Sequence, residues 1–68
     1  MTIEERLAQR VRHFRREQKL SQEELAHRAG LHRTFISQIE RAVKKTTVHS
    51  VEKVARALQV TMGALLDE

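Results

Sequence analysis

Cysteine and proline are absent from this 68-residue chain, glycine occurs twice, and Phe14 and Phe35 are its only aromatic residues. Each shortage removes options. Without cysteine there are neither disulfides nor thiolate metal sites, and a reducing compartment suits the chain. The turn signals and β-rich runs of hairpins, sandwiches and barrels are missing too, which leaves helices. No apolar run approaches the ~18 residues of a membrane-spanning helix, and the opening Met1-Thr2-Ile3-Glu4-Glu5-Arg6 is too charged for a signal peptide. A cytoplasmic protein with no membrane partner is therefore expected. A chain this short buries only about 60% of its unfolded surface. With disulfides and metals set aside, a second subunit is the remaining reinforcement.

What is present is charge, and its placement says more than its total of +4. Residues 1–20 are basic through Arg6, Arg10, Arg12, Arg15, Arg16 and Lys19. Residues 21–41 balance Arg28, Arg33 and Arg41 against Glu23, Glu24 and Glu40. Residues 42–58 turn basic again through Lys44, Lys45, Lys53 and Arg56, and the chain ends acidic at Asp67 and Glu68. Two basic segments around a neutral centre suit a polyanion, since each cation placed on a phosphate releases condensed counterions. A solvated surface explains the same charges equally simply until a fold places them.

Apolar spacing and cap residues mark five helices in one domain over residues 1–68. Ile3, Leu7, Val11 and Phe14 form one stripe from about Ile3 to Gln18, and Leu20 closes the corner. Ser21 and Glu24 have the spacing of a capping box, in which each side chain accepts from the other's backbone N–H. Leu25, Ala26 and Ala29 follow on the inner face, and Gly30 supplies the left-handed residue that stops the helix. A third segment runs from about Arg33 to Arg41, with His32 as an imperfect N-cap. Ile36 and Ile39 point inward, and Arg33, Thr34, Ser37, Gln38 and Arg41 lie on the other side. Lys44 to Thr46 read as a polar loop. Thr47 caps a fourth helix striped by Val51, Val54, Ala55 and Leu58, and Thr61 caps a short fifth.

A capped helix, a glycine turn and a short second helix with a polar outer face define a helix-turn-helix, here about residues 21–41. In that unit the second helix enters the major groove of double-stranded DNA. The chemistry suits the role. Arginine pairs with guanine O6 and N7, and glutamine with adenine N6 and N7, each bidentate pair being worth about 1–3 kcal/mol of discrimination.

The run Leu20-Ser21-Gln22-Glu23-Glu24-Leu25-Ala26, then Gly30, then Ile36-Ser37-Gln38-Ile39-Glu40-Arg41, resembles the phage lambda repressor and Cro-like (XRE-type) family. The resemblance continues through Val54-Ala55-Arg56-Ala57-Leu58 and Val60-Thr61 to Leu65-Leu66. Within that family, Arg33-Thr34-Phe35-Ile36-Ser37 with Ile39-Glu40-Arg41 is most similar to the controller proteins of restriction–modification systems. The resemblance implies an all-α, compact five-helix, lambda-repressor-like fold. It implies a DNA-facing set of Gln22, Arg33, Thr34, Phe35, Ser37, Gln38, Lys44, Lys45 and Ser50. In that set Gln22 meets a phosphate, Arg33, Thr34 and Gln38 face base edges, and Lys44, Lys45 and Ser50 meet the backbone. It also pairs Arg15 with Glu40 to tie the first helix to the third. The family usually carries glycine where this chain has Ala42 and Gln59, so a loop of altered shape near residues 42–46 is expected.

The remaining residues are open to plainer readings. Phe35 touches a thymine methyl or is partly buried beside Ile36 and Ile39. Arg6, Arg10, Arg12 and Arg16 read as solvated, since most of one helix cannot face one duplex. His13, His27, His32 and His49 show no ligand-pair spacing with a third partner, so no metal is expected. No nucleophile–base–acid set or phosphate-cradling loop appears, so neither an enzyme, a cofactor nor a small-molecule ligand is expected. The expected function is a transcription regulator that binds a pseudo-palindromic operator as a homodimer, with RNA polymerase as a further partner to consider. With the sequence ending soon after Leu66, the dimer surface is expected at about residues 58–68, on Val60, Met62, Leu65 and Leu66. Met62 and the leucines serve equally to complete the monomer core. The competing reading is a protein-interaction helix-turn-helix module, either a coactivator bridge or an antitoxin-like partner.

Overall fold

The computed structural model describes every residue from Met1 to Glu68 and contains five helices. They are α1 (Ile3–Glu17), α2 (Gln22–Ala29), α3 (Arg33–Glu40), α4 (Val48–Leu58) and α5 (Met62–Leu66). None is long and apolar enough to cross a membrane.

Every helix starts on a side-chain cap. The Ser21–Glu24 box closes at 3.0 and 2.8 Å. Thr2 and Glu5 form a second box at the head of α1, on a Thr-x-x-Glu pattern open to the same reading. His32 Nδ1 accepts from the Thr34 N–H, and Thr47 and Thr61 cap α4 and α5. Each cap satisfies an N–H that has no partner within its helix.

The ends of α1 to α4 share one device, whereas α5 ends on an extended Asp67. At the end of α2, the Leu31 N–H donates to the Ala26 carbonyl across a left-handed Gly30 (φ +68°). This 6→1 closure is the Schellman motif. The same bond runs from Leu20 to Arg15, from Val43 to Gln38 and from Val60 to Ala55. The left-handed residues there are Lys19, Ala42 and Gln59, at φ +56° to +60°. Ala42, at the start of the loop expected to have an altered shape, adopts the glycine-like conformation itself. For a residue with a Cβ that conformation costs about 1–2 kcal/mol. An apolar residue follows the left-handed one every time: Leu20, Leu31, Val43 and Val60.

The core gathers residues from all five helices. Leu7 and Val11 of α1 meet Leu25, Ala26, Ile36, Ile39, Val51, Val54, Ala55, Leu58 and Leu65, with Leu20 closing the α1–α2 corner. Leu65 is 0% exposed, so it belongs to the monomer core and leaves the set expected to face a partner. Val60, Met62 and Leu66 pack against that core from partly buried positions. α3 is held between α1 and α2, with α4 behind α2.

Candidate nucleic-acid interface

The second helix of the α2–turn–α3 unit has one face for the fold and one for solvent. Ile36 and Ile39 are buried. Beside them Glu40 is only 4% exposed, although it carries a carboxylate. A buried carboxylate needs a partner of opposite charge. Arg15 of α1 supplies it through two bonds, Nε to Oε2 at 2.6 Å and Nη2 to Oε1 at 2.9 Å. Planar guanidinium and carboxylate match in this two-point geometry. The hydrogen bond to Glu40 raises the Arg15 pKa above its ordinary value, which further favours a cation that arginine carries in any case.

Other groups complete the junction. Arg15 Nη1 donates to the Leu20 carbonyl at 2.9 Å, and Arg12 donates to the Glu40 carbonyl. The Gln22 side-chain amide donates to Glu40 Oε1 at 3.1 Å. Gln22, expected at a phosphate, thus has one amide N–H committed to the inner network and sits where α1, α2 and α3 meet.

The reading of the α1 arginines as solvated is corrected for three of the four. Arg12 serves α3, as above. Arg6 donates to the Leu66 carbonyl at 2.6 Å and to the Glu68 carboxylate at 3.1 Å, and Arg10 donates to the Ala64 carbonyl at 3.1 Å. The last carbonyls of a helix lack partners within it and carry partial negative charge. Arginine side chains from a neighbouring helix are suited to satisfy them. No sequence spacing marks this, because the partners lie 28 to 62 residues apart. Arg16 is exposed, as expected.

The outer side of α3 carries Arg33 and Thr34, both exposed, with Ser37 and Gln38 half-buried one turn on. Steps of three and four residues put these four on one face. Arg41 continues it, exposed, with Nε 3.4 Å from the Ser37 carbonyl. Phe35 sits between the two sides, half-buried against the core. Lys44, in the loop after α3, lies with Nζ 4.7 Å from the Phe35 ring centroid. Lys45 is exposed, and the half-buried Ser50 accepts a hydrogen bond from the Thr47 hydroxyl at 3.1 Å.

A short helix pinned on one side, presenting arginine, threonine, serine and glutamine on the other, behind a capped helix and a tight turn, is a DNA-binding helix-turn-helix. The chain belongs to the helix-turn-helix family HTH_3, whose sequence profile matches residues 11–65; it is a transcription regulator of that family. It is 42% identical over 66 residues to control protein C.SmaI of Serratia marcescens, covering 97% of this chain and 79% of that one. It is 43% identical over 60 residues to control protein C.BamHI of Bacillus amyloliquefaciens, covering 87% and 74%. The crystal structure of the restriction–modification controller protein C.AhdI from Aeromonas hydrophila superposes with a TM-score of 0.89 at 32% identity, over 93% of this chain and 96% of that one.

Proposed function

We propose that this domain is a controller-type transcription regulator of a restriction–modification system, binding a pseudo-palindromic operator as a homodimer. The observation that carries the reading is the division of α3. Arg33 and Thr34 are exposed on a helix whose opposite side is fixed by Ile36, Ile39 and the Arg15–Glu40 pair. An arginine on a firmly seated helix suits bidentate contact with guanine, and Gln38 one turn later suits adenine. Gln22, Lys44, Lys45 and Ser50 serve as backbone contacts, which set register without reading sequence. The likeness to control proteins supports the biological role. The domain acts by binding and not by catalysis.

Size supports the dimer. The body measures 27 × 21 × 20 Å, less than the roughly 34–36 Å between half-sites one helical turn apart, so one copy covers one half-site. Its partner face shifts from the expected position. Val48 is 70% exposed and Ile3 52%, and both border an apolar groove of about 130 Å³ shared with Leu7, Val51 and Leu66. Leu66 lines this groove and lies one helical turn from Met62 on α5, so the face we assign to the second copy keeps Val60, Met62 and Leu66 and loses the buried Leu65.

In vitro selection of bound duplexes, followed by footprinting, tests the reading. Two protected half-sites about 10 base pairs apart, centre to centre, are expected. A single half-site bound by a monomer would overturn the dimer. Six to ten phosphate contacts would weaken binding about 10³–10⁵-fold between 50 and 200 mM salt. A flat salt response, with Arg33→Ala binding DNA normally, would favour the protein-interaction module.

A further inference from the structure

The polar loop after α3 carries two lysines, and two independent contacts fasten its first residues to the reading helix. The first is the backbone closure at its base. Ala42 holds φ +56°, its N–H reaches the Ile39 carbonyl at 3.1 Å, and the Val43 N–H reaches the Gln38 carbonyl at 3.2 Å. Residues 42 and 43 therefore move with α3. The second is Lys44, whose ammonium lies 4.7 Å from the centre of the Phe35 ring, within the range of a cation–π contact. The ring is a stable platform because it packs against the core. Lys45, one residue on, has no such platform.

We propose that Phe35 is a positioning residue for Lys44. Its ring holds the ammonium against α3 itself, so that a DNA-backbone contact is preset in register with the base-reading face. A lysine stem normally samples many rotamers, and binding has to arrest them. Resting the cation on a fixed aromatic face removes much of that freedom before DNA arrives. The ammonium has three donors, and the ring attracts it without consuming all of them, so a phosphate oxygen can still be reached. Phe35 thus acts on affinity through Lys44, not through a base of its own. The inference rests on the reading of Lys44 as a phosphate contact.

A double-mutant cycle on the full chain tests both steps, using a selected operator duplex and fluorescence anisotropy across a salt series. Lys44→Met, which keeps the stem and removes the charge, is expected to weaken binding several-fold. It should also lower the slope of log K against log salt by about 0.9, the loss of one phosphate. Phe35→Leu should reproduce most of both changes, Phe35→Tyr should bind like the parent, and Phe35→Leu/Lys44→Met should bind no worse than Lys44→Met alone. If Lys44→Met leaves affinity and slope unchanged, the phosphate reading fails and the inference falls with it. If Lys44→Met weakens binding but Phe35→Leu adds its full effect on top, only the inference fails, and the ring acts on DNA directly. NMR of the unmutated protein gives a readout independent of how the leucine variant folds. The Lys44 ε-methylene protons should be shifted upfield of those of Lys45 by the ring current, and identical shifts would overturn the stack.

Discussion

The two sides of α3 use the same kinds of residue for opposite ends. On the inner side, Arg15, Arg12 and Gln22 converge on Glu40, and the polar groups are spent on one another. On the outer side, Arg33 and Thr34 stay exposed. An arginine at the buried junction orients a helix; an arginine left exposed on the outer face stays available to a partner. Burial, not residue type, separates the roles, because a charge taken out of water is costly until paired. The contrast also explains how eight residues suffice for a reading helix. Isolated helices of that length are marginal, and packing on one side has to supply what length does not.

The contrast is broken most severely from the inside. Arg15→Ala leaves the Glu40 carboxylate buried without its cation, and a loss of roughly 3–5 kcal/mol is expected in urea unfolding. The exposed pair of Arg56 and Glu52, at 3.8 Å, serves as the control. Glu52→Gln should change stability by less than about 0.5 kcal/mol. A similar loss from both variants would erase the distinction between a buried and a solvated pair.

From the outside, Arg33→Ala should leave the melting curve within about 0.5 kcal/mol of the parent. Its operator affinity should fall by about 1–3 kcal/mol, with discrimination relaxed at one base position. Binding measured on the cognate duplex and on single-base variants checks this. A uniform loss across all sequences would move Arg33 from a base to the backbone.

Smaller effects sharpen the turn that joins the two sides to the loop. Ala42 and Gln59 hold left-handed conformations that glycine adopts without a Cβ penalty. Gln59→Gly should therefore stabilise the domain by up to about 1 kcal/mol, less the entropy that glycine adds to the unfolded chain. Thermal denaturation detects this as a raised Tm, and a lowered Tm would show that the side chain, not the backbone, matters there.

The smallest expected effect is pH dependence from the two capping boxes. The backbone N–H of Thr2 and then its hydroxyl hold the Glu5 carboxyl below its ordinary 4.5, and Ser21 does the same for Glu24. The unfolded chain then binds more protons than the folded one at acidic pH, so stability rises with pH. The contribution is complete above pH 4.5 and is lost as pH falls through the lowered values. Comparing urea midpoints at pH 6 and pH 3 for the parent and for Glu5→Gln/Glu24→Gln tests the sign. The double variant should lose less on acidification.

Much of this architecture was legible in residues four or fewer apart. Ser21 with Glu24, His32 with Thr34, Thr47 and Thr61 all announce helix starts, because a cap acts on the turn that follows it. Helix ends were harder to read. Only Gly30 fits the usual stop signal, while Lys19, Ala42 and Gln59 adopt the same geometry with side chains that favour helix or coil. The consistent signal at these ends was the apolar residue after each left-handed one. Leu20 is buried and Leu31 and Val60 are half-buried. Val43 remains 62% exposed, the one such residue the monomer leaves largely uncovered.

The sequence by itself determined the helix-turn-helix: the capped α2, the turn at Gly30, and the split of α3 into an isoleucine side and a polar side. These are local, since period and capping chemistry depend on neighbours along the chain. Tertiary structure alone decided what the other arginines do. Arg6, Arg10 and Arg12 look like any solvated helix face until α5 and α3 bring unpaired carbonyls to them. It also placed Leu65 in the core, left Val48 in the open, and set Lys44 over Phe35. Each outcome depends on which distant surface arrives, and a one-dimensional pattern does not carry that information.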